Sequence, residues 1–265
     1  MACLEPGSAA DPQRLNAREI FEVVVTTGRD ELARPLLGIA LSALAGGVTI
    51  GLSVLAVALA EVMGGGGPGA KLLAAALYPF GYIAVVIGRA QFFTENTLFP
   101  VITYLADRRR GRRLLAFWGV VLGGNLVGAL LFALLAMRSA ALSASTRDAI
   151  AAAGAMAAHR PGGEVFWSAV VGGWLMALVA WTVSASQWTS GQILVTWLFT
   201  FLIGLGDFAH CIASSAKILA AVLVGQVGVT PYLGWLGLAV AGNIAGGVVI
   251  VSLLNFGQVR AGEPS

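Results

Sequence analysis

Of the two histidines in this chain, His210 lies within an apolar run, at the end of Gly204-Leu205-Gly206-Asp207-Phe208-Ala209-His210. Histidine changes charge near neutral pH. A ring in such a place could offer a proton to the anion of a weak acid, which would then cross as the neutral acid. The competing account is a hydrogen-bonded packing histidine. About 118 residues earlier another apolar run is interrupted, at Gly88-Arg89-Ala90-Gln91-Phe92-Phe93-Thr94-Glu95-Asn96. Thr94 there can both donate and accept a hydrogen bond. Phe92, Phe93, Leu98 and Phe208 could form apolar constrictions above and below a polar layer, or could simply pack.

The stretch after each interruption carries an asparagine between glycines: Gly124-Asn125-Leu126-Val127-Gly128 and Gly242-Asn243-Ile244-Ala245-Gly246. An amide in apolar surroundings needs a partner, across a helix contact or in a wet passage. Asn125, Asn243, Asn96 and Ser214 therefore join Thr94 and His210 as candidates for a substrate pathway. Glu95 and Lys217 join them as charges that are costly in a crossing unless paired or wet. They are read as a salt bridge shaping the path, or with Lys217 attracting anions or reaching to the outer interface.

These residues need elements that hold them in a bilayer. The chain has 265 residues, 58% hydrophobic and 11% charged, where a soluble domain carries roughly a quarter charged. Apolar stretches run from about residue 36 to 59, 71 to 105, 114 to 137, 165 to 183, 193 to 224 and 232 to 256. At about 20 residues per crossing, they predict six transmembrane helices, the second and fifth broken. Lipid tolerates a broken helix only where the break is buried in protein or lines a cavity. Each half-helix that starts at a break aims a partial positive charge at the gap. Two such breaks at equivalent places point to a substrate site near the midplane, suited to a small anion without a fixed cation.

Charge sets the expected orientation. Asp107-Arg108-Arg109-Arg110-Gly111-Arg112-Arg113 holds five arginines, and short Arg-rich loops stay in the cytoplasm. Both termini are then cytoplasmic, with the loops at 64–71 and 139–164 outside. Residues 1–35 are a cytoplasmic segment without a secretory signal, residues 36–256 the membrane domain, and 257–265 a cytoplasmic tail. Within the first segment, Ile20, Phe21, Val24 and Val25 recur at helical spacing among charges, which predicts an amphipathic helix on the membrane surface. Its role is an interfacial anchor or a gating flap. Cys3 and Cys211 are too differently placed for a disulfide or a metal pair. No metal, cofactor, nucleic-acid partner or enzymatic activity is expected.

The residues also resemble the formate/nitrite transporter family, whose broken second helix carries a Glu-Leu-Phe-Thr-Gly-Asn type loop. Here the chain reads Gln91-Phe92-Phe93-Thr94-Glu95-Asn96. The family's central histidine precedes Ser-Ile-Ala-Asn, and here His210-Cys211-Ile212-Ala213-Ser214 stands. The two glycine-asparagine motifs look like its third and sixth helices. Glu95 in place of a small residue and Ser214 in place of an asparagine are departures. The match covers residues 31 to 256. It implies an aquaporin-like inverted repeat of six helices, a homopentamer in the bacterial plasma membrane, and one path per protomer for formate, nitrite or related anions and protons. The alternative is a water or small neutral solute channel of the same architecture. Those channels place Asn-Pro-Ala at each half-helix start, and no asparagine here precedes proline.

Overall fold

The computed structural model describes residues 15–108 and 111–262, and every regular element among them is helical. In chain order these are α1 (Ala17–Ala33), α2 (Leu36–Gly64), α3 (Pro68–Ile87), α4 (Phe99–Asp107) and α5 (Gly111–Arg138). There follow α6 (Ala144–Ala158), α7 (Gly162–Ala185), α8 (Thr189–Leu205), α9 (Ala213–Leu223) and α10 (Val229–Ala261). Among the described residues α2, α3, α5, α7 and α10 are long and apolar enough to cross a membrane, and α8 and α9 are shorter apolar helices. Large side chains such as Leu37, Leu115, Leu135 and Trp167 face outward, the reverse of a water-facing surface. Cys3, Arg109 and Arg110 lie outside the described residues, as do parts of the two expected terminal segments.

Helix α1 begins at a capping box. Asn16 accepts from the Arg18 and Glu19 N–H groups, and the Glu19 carboxylate accepts from the Asn16 N–H, so two otherwise orphaned donor sets are satisfied together. The helix has the apolar periodicity expected of it, but its apolar face is laid on protein. Phe21, Val24 and Val25 pack with Phe99 and Ile102 of α4. Thr103 Oγ1 donates to Val25 O at 3.2 Å, and a Cβ on Gly28 would lie 2.1 Å from that Oγ1. Arg29 forks onto Asp107 at 3.0 and 2.6 Å, and this partnership raises its pKa further above the ordinary arginine value. Arg113, from the arginine run, donates to Leu32 O and to Arg34 O at the end of α1.

Two helix pairs form the frame. Helix α2 packs on α5, and α7 on α10, through glycines. A Cβ on Gly47 would fall 2.1 Å from Asn125 O, and one on Gly173 would fall 2.2 Å from Asn243 O. Such close backbone approach is what small residues permit in membranes.

Two features depart from the sequence reading. The stretch between α5 and α7, expected as an outer loop, contains α6, capped by Ser143 and buried along Thr146, Ile150, Ala151, Gly154 and Ala157. Its run is alanine-rich, strong in helix propensity but too weakly apolar to register as a membrane stretch. Helix α10 is not regular throughout, because residues Ala245–Leu253 wind as a π-helix. Gly247 of that turn lies against Thr97, where a Cβ would be 2.0 Å from Oγ1, and Ser252 Oγ donates to Thr97 O at 3.0 Å.

Candidate functional site at the two breaks

The backbone leaves helix after Ile87 and regains it at Phe99, with one short 3-10 turn at Glu95–Thr97 between. It leaves again after Leu205 and regains helix at Ala213. Each break turns at a non-glycine residue in the left-handed region, Arg89 at φ 55° and Asp207 at φ 44°. Left-handed backbone is uncommon for such residues, so each turn needs outside support.

That support is the asparagine pair. Asn125 Oδ1 accepts from Phe93 N–H at 2.9 Å, while its Nδ2 donates to Ala43 O at 2.7 Å and Gln91 O at 2.9 Å. Around Asn243 the same pattern recurs. Its Oδ1 accepts from Cys211 N–H at 2.9 Å, and its Nδ2 donates to Ala169 O at 2.7 Å and Ala209 O at 3.0 Å. Ser42 Oγ accepts from Gln91 N–H and Ser168 Oγ from Ala209 N–H, at 3.0 and 2.9 Å. Backbone groups freed by each break therefore find partners on the flanking helices, as burial demands. Both asparagines are fully buried and spend both amide donors on backbone carbonyls. The structure makes them braces of the two breaks.

The breaks bring Thr94 and His210 together, Oγ1 to Nε2 at 2.7 Å, both fully buried. His210 Nδ1 accepts from Ala213 N–H at 3.2 Å, so the ring caps the start of α9. With Nδ1 accepting, the ring hydrogen sits on Nε2 and is donated to Thr94. The Thr94 hydroxyl hydrogen then has no further partner among the described residues. Thr97 Oγ1 donates to Thr94 O at 2.8 Å and fixes this turn. Phe92 stacks on the imidazole at 5.1 Å between centroids and 12° between planes.

A cavity of about 480 Å³ lies on one side of this buried layer, walled by Val23, Thr27 and Glu31 of α1 with Arg89, Glu95 and Asn96 of the first break. On the other side a cavity of about 530 Å³ is walled by Arg160, Asp207, Phe208, Ser214, Lys217 and Tyr78 among others. Glu95 and Lys217 thus face different cavities, and the salt bridge between them is corrected. Lys217 Nζ lies 3.4 Å from Asp207 Oδ1, because α9 carries it away from the break that holds Glu95. Arg160 Nη1 donates to Asp207 O at 2.9 Å and lies 3.7 Å from Oδ2, which supports the left-handed turn there. Asn96 Nδ2 is held by Gln91 Oε1 and Phe92 O at 2.8 and 2.9 Å.

The four apolar candidates separate. Phe92 closes on the imidazole and Phe208 lines the second cavity. Phe93 turns instead against Trp118, 5.9 Å between centroids, and Leu98 joins the apolar cluster under α1. Reasoning from sequence passed over Ser42 and Ser168, whose matched distance from the two Gly-Gly pairs at 46–47 and 172–173 was a usable signal. It also passed over Tyr78 and Tyr82, one helical turn apart just ahead of the first break.

Comparison with known proteins gives a consistent result. The formate/nitrite transporter family model matches residues 18–257. The chain is 34% identical over 255 residues to the inner membrane protein YfdC of Escherichia coli (strain K12), covering 94% of this chain and 82% of that protein. Among solved structures, an FNT family ion channel superposes with TM-score 0.81 at 19% identity, over 94% of this chain and all of that one. A pentameric formate channel with formate bound superposes with TM-score 0.70 at 20% identity, over 84% of this chain and 97% of that one.

Proposed function

The chain belongs to the formate/nitrite transporter family, and on that footing we propose that it is a membrane channel or transporter for small monovalent weak-acid anions such as formate or nitrite. One observation carries this reading: the Thr94–His210 hydrogen bond, fully buried between two cavities. An anion arriving at this layer meets the spare threonine hydroxyl hydrogen, and by displacing Thr94 it can take over the imidazole N–H as a second donor. Charge-assisted hydrogen bonds of this kind are stronger than neutral ones. A ring that has first taken up a proton from the solution side can pass it to the anion and return to its neutral form, which lets the acid pass the Phe92 closure as a neutral molecule. Lys217 and Arg160 supply positive charge in one cavity, offset by Asp207, and Glu95 sits in the other across from Arg89. Ser214 and Asn96 border the path, and the two buried asparagines position the breaks without touching the anion.

The same reading makes α3 with α4, and α8 with α9, two interrupted crossings in an aquaporin-like inverted repeat of six. The matched braces at Asn125 and Asn243 support this. Helix α1, Asp107, Arg113 and the end of α10 gather on one face of the molecule, and the arginine-rich turn there supports a cytoplasmic setting for that face. The outward apolar side chains suit lipid and, as in the pentameric channel that superposes on this chain, further copies of it.

The test is uptake of radiolabelled formate and nitrite into liposomes containing the purified protein, over a range of external pH. The parent should carry anions faster as the outside is acidified, and His210→Ala should lose at least tenfold of that flux. Rapid water or glycerol flux with no anion flux at any pH would remove the proposal in favour of a neutral solute channel.

A further inference from the structure

Tyr78 and Tyr82 stand between the second cavity and the imidazole. Their hydroxyl oxygens are 2.7 Å apart and their rings 5.1 Å. Tyr78 lines the cavity, seated against Gly204, where a Cβ would lie 2.8 Å from its own. Tyr82 is fully buried and packs edge-on to His210 at 5.3 Å and 89°, and to Phe92 at 5.8 Å and 90°. The pair therefore links a side chain that lines the cavity to one packed against the buried imidazole.

Two hydroxyls that share one hydrogen bond keep one hydrogen over, since each carries one donor. If Tyr82 donates to Tyr78, the surplus O–H belongs to Tyr78 and borders the cavity. If Tyr78 donates, the surplus belongs to Tyr82, beside the imidazole. Rotation of the two O–H groups exchanges these states without moving a heavy atom. A buried hydroxyl hydrogen without an acceptor is unfavourable, so whatever passes is drawn to supply one.

We propose that Tyr78 and Tyr82 form a two-position donor that passes an anion between the second cavity and His210 and selects for anions that accept hydrogen bonds well. The inference rests on the anion-path reading above and adds to it a specificity element. A carboxylate such as formate accepts strongly at oxygen, whereas hydrosulfide, of similar size, accepts weakly through sulfur. The pair thus favours the first over the second.

Tyr78→Phe and Tyr82→Phe remove one oxygen each and keep the rings. In liposomes containing the full chain, formate and hydrosulfide fluxes are measured for the parent, both single variants and the double variant. Each single variant should lower the formate-to-hydrosulfide ratio about tenfold, the scale of one hydrogen bond to a charged group. The double variant should match the singles, because either oxygen alone leaves no exchangeable pair. A ratio within twofold of the parent in both singles, or losses that multiply in the double, would overturn the pair while leaving the channel intact. If the parent carries neither anion, the channel reading falls and takes the pair with it. Should Tyr82→Phe not reconstitute, Tyr78→Phe decides on the ratio alone, since its ring borders the cavity.

Discussion

Asparagine does two jobs that sequence alone cannot tell apart, contact with a ligand and repair of a broken backbone. In this protein Asn125 and Asn243 take the second. Each makes three buried hydrogen bonds to main-chain groups, two of them within a break where a continuous helix would have paired them and one to a carbonyl of the neighbouring helix. Interhelical hydrogen bonds in membranes average about 0.6 kcal/mol, so losing three should cost roughly 2 kcal/mol. Asn125→Ala and Asn243→Ala are accordingly expected to lower the midpoint of unfolding in detergent, and by similar amounts. Parent-like unfolding of either variant would mean that the braces are dispensable. Thr94 and His210 differ in kind from the asparagines. Their hydrogen bond joins the two breaks to each other and leaves the Thr94 hydroxyl hydrogen without a further partner among the described residues.

Among the elements, α1 is tied down by polar contacts as well as by its apolar stripe. Its apolar stripe covers α4, its middle is clamped by Arg29 on Asp107, and its end is held by Arg113. Thr27 and Glu31 on its other side wall the first cavity, so any movement of α1 changes that mouth. The Arg29–Asp107 pair is half-exposed, and pairs of this sort contribute at most about 1 kcal/mol. Arg29→Ala should therefore leave the fold intact but speed amide hydrogen exchange across residues 17–33, more so at low salt, where the parent's pair is strongest. Unchanged exchange in that helix would show that apolar packing alone holds it. The amphipathic pattern was plain in the sequence. What met it was not, because Phe99, Ile102 and Thr103 are brought beneath it only by the turn at the first break.

At the scale of the whole molecule, two helix pairs are drawn close enough that backbone touches backbone. Gly47 against Asn125 and Gly173 against Asn243 are matched statements of this, and the neighbouring atoms there are main chain, which cannot swing aside. Gly47→Ala and Gly173→Ala should each sharply reduce the yield of folded protein extracted from membranes. Gly38→Ala, with open space at its Cβ position, should behave as the parent does. Equal yields for all three would contradict the close packing of the pairs.

The sequence by itself determined the helical class, the membrane setting, the places where two helices are interrupted, and the polar residues there. Apolar run length, glycine at the interruptions and asparagine after them are local signals, and each has a local physical cause. Which polar group faces which was decided only in three dimensions. Glu95 and Lys217 are both charges in apolar surroundings, yet they open onto different cavities, and Lys217 meets Asp207. Phe92 and Phe93 are neighbours in the chain, but one stacks on His210 and the other meets Trp118 edge-on. Tyr82 gains its place beside His210 only because the second break carries the imidazole to it. Contacts between residues more than a hundred positions apart depend on how the two halves are set against each other, and no local pattern of residues encodes that distance.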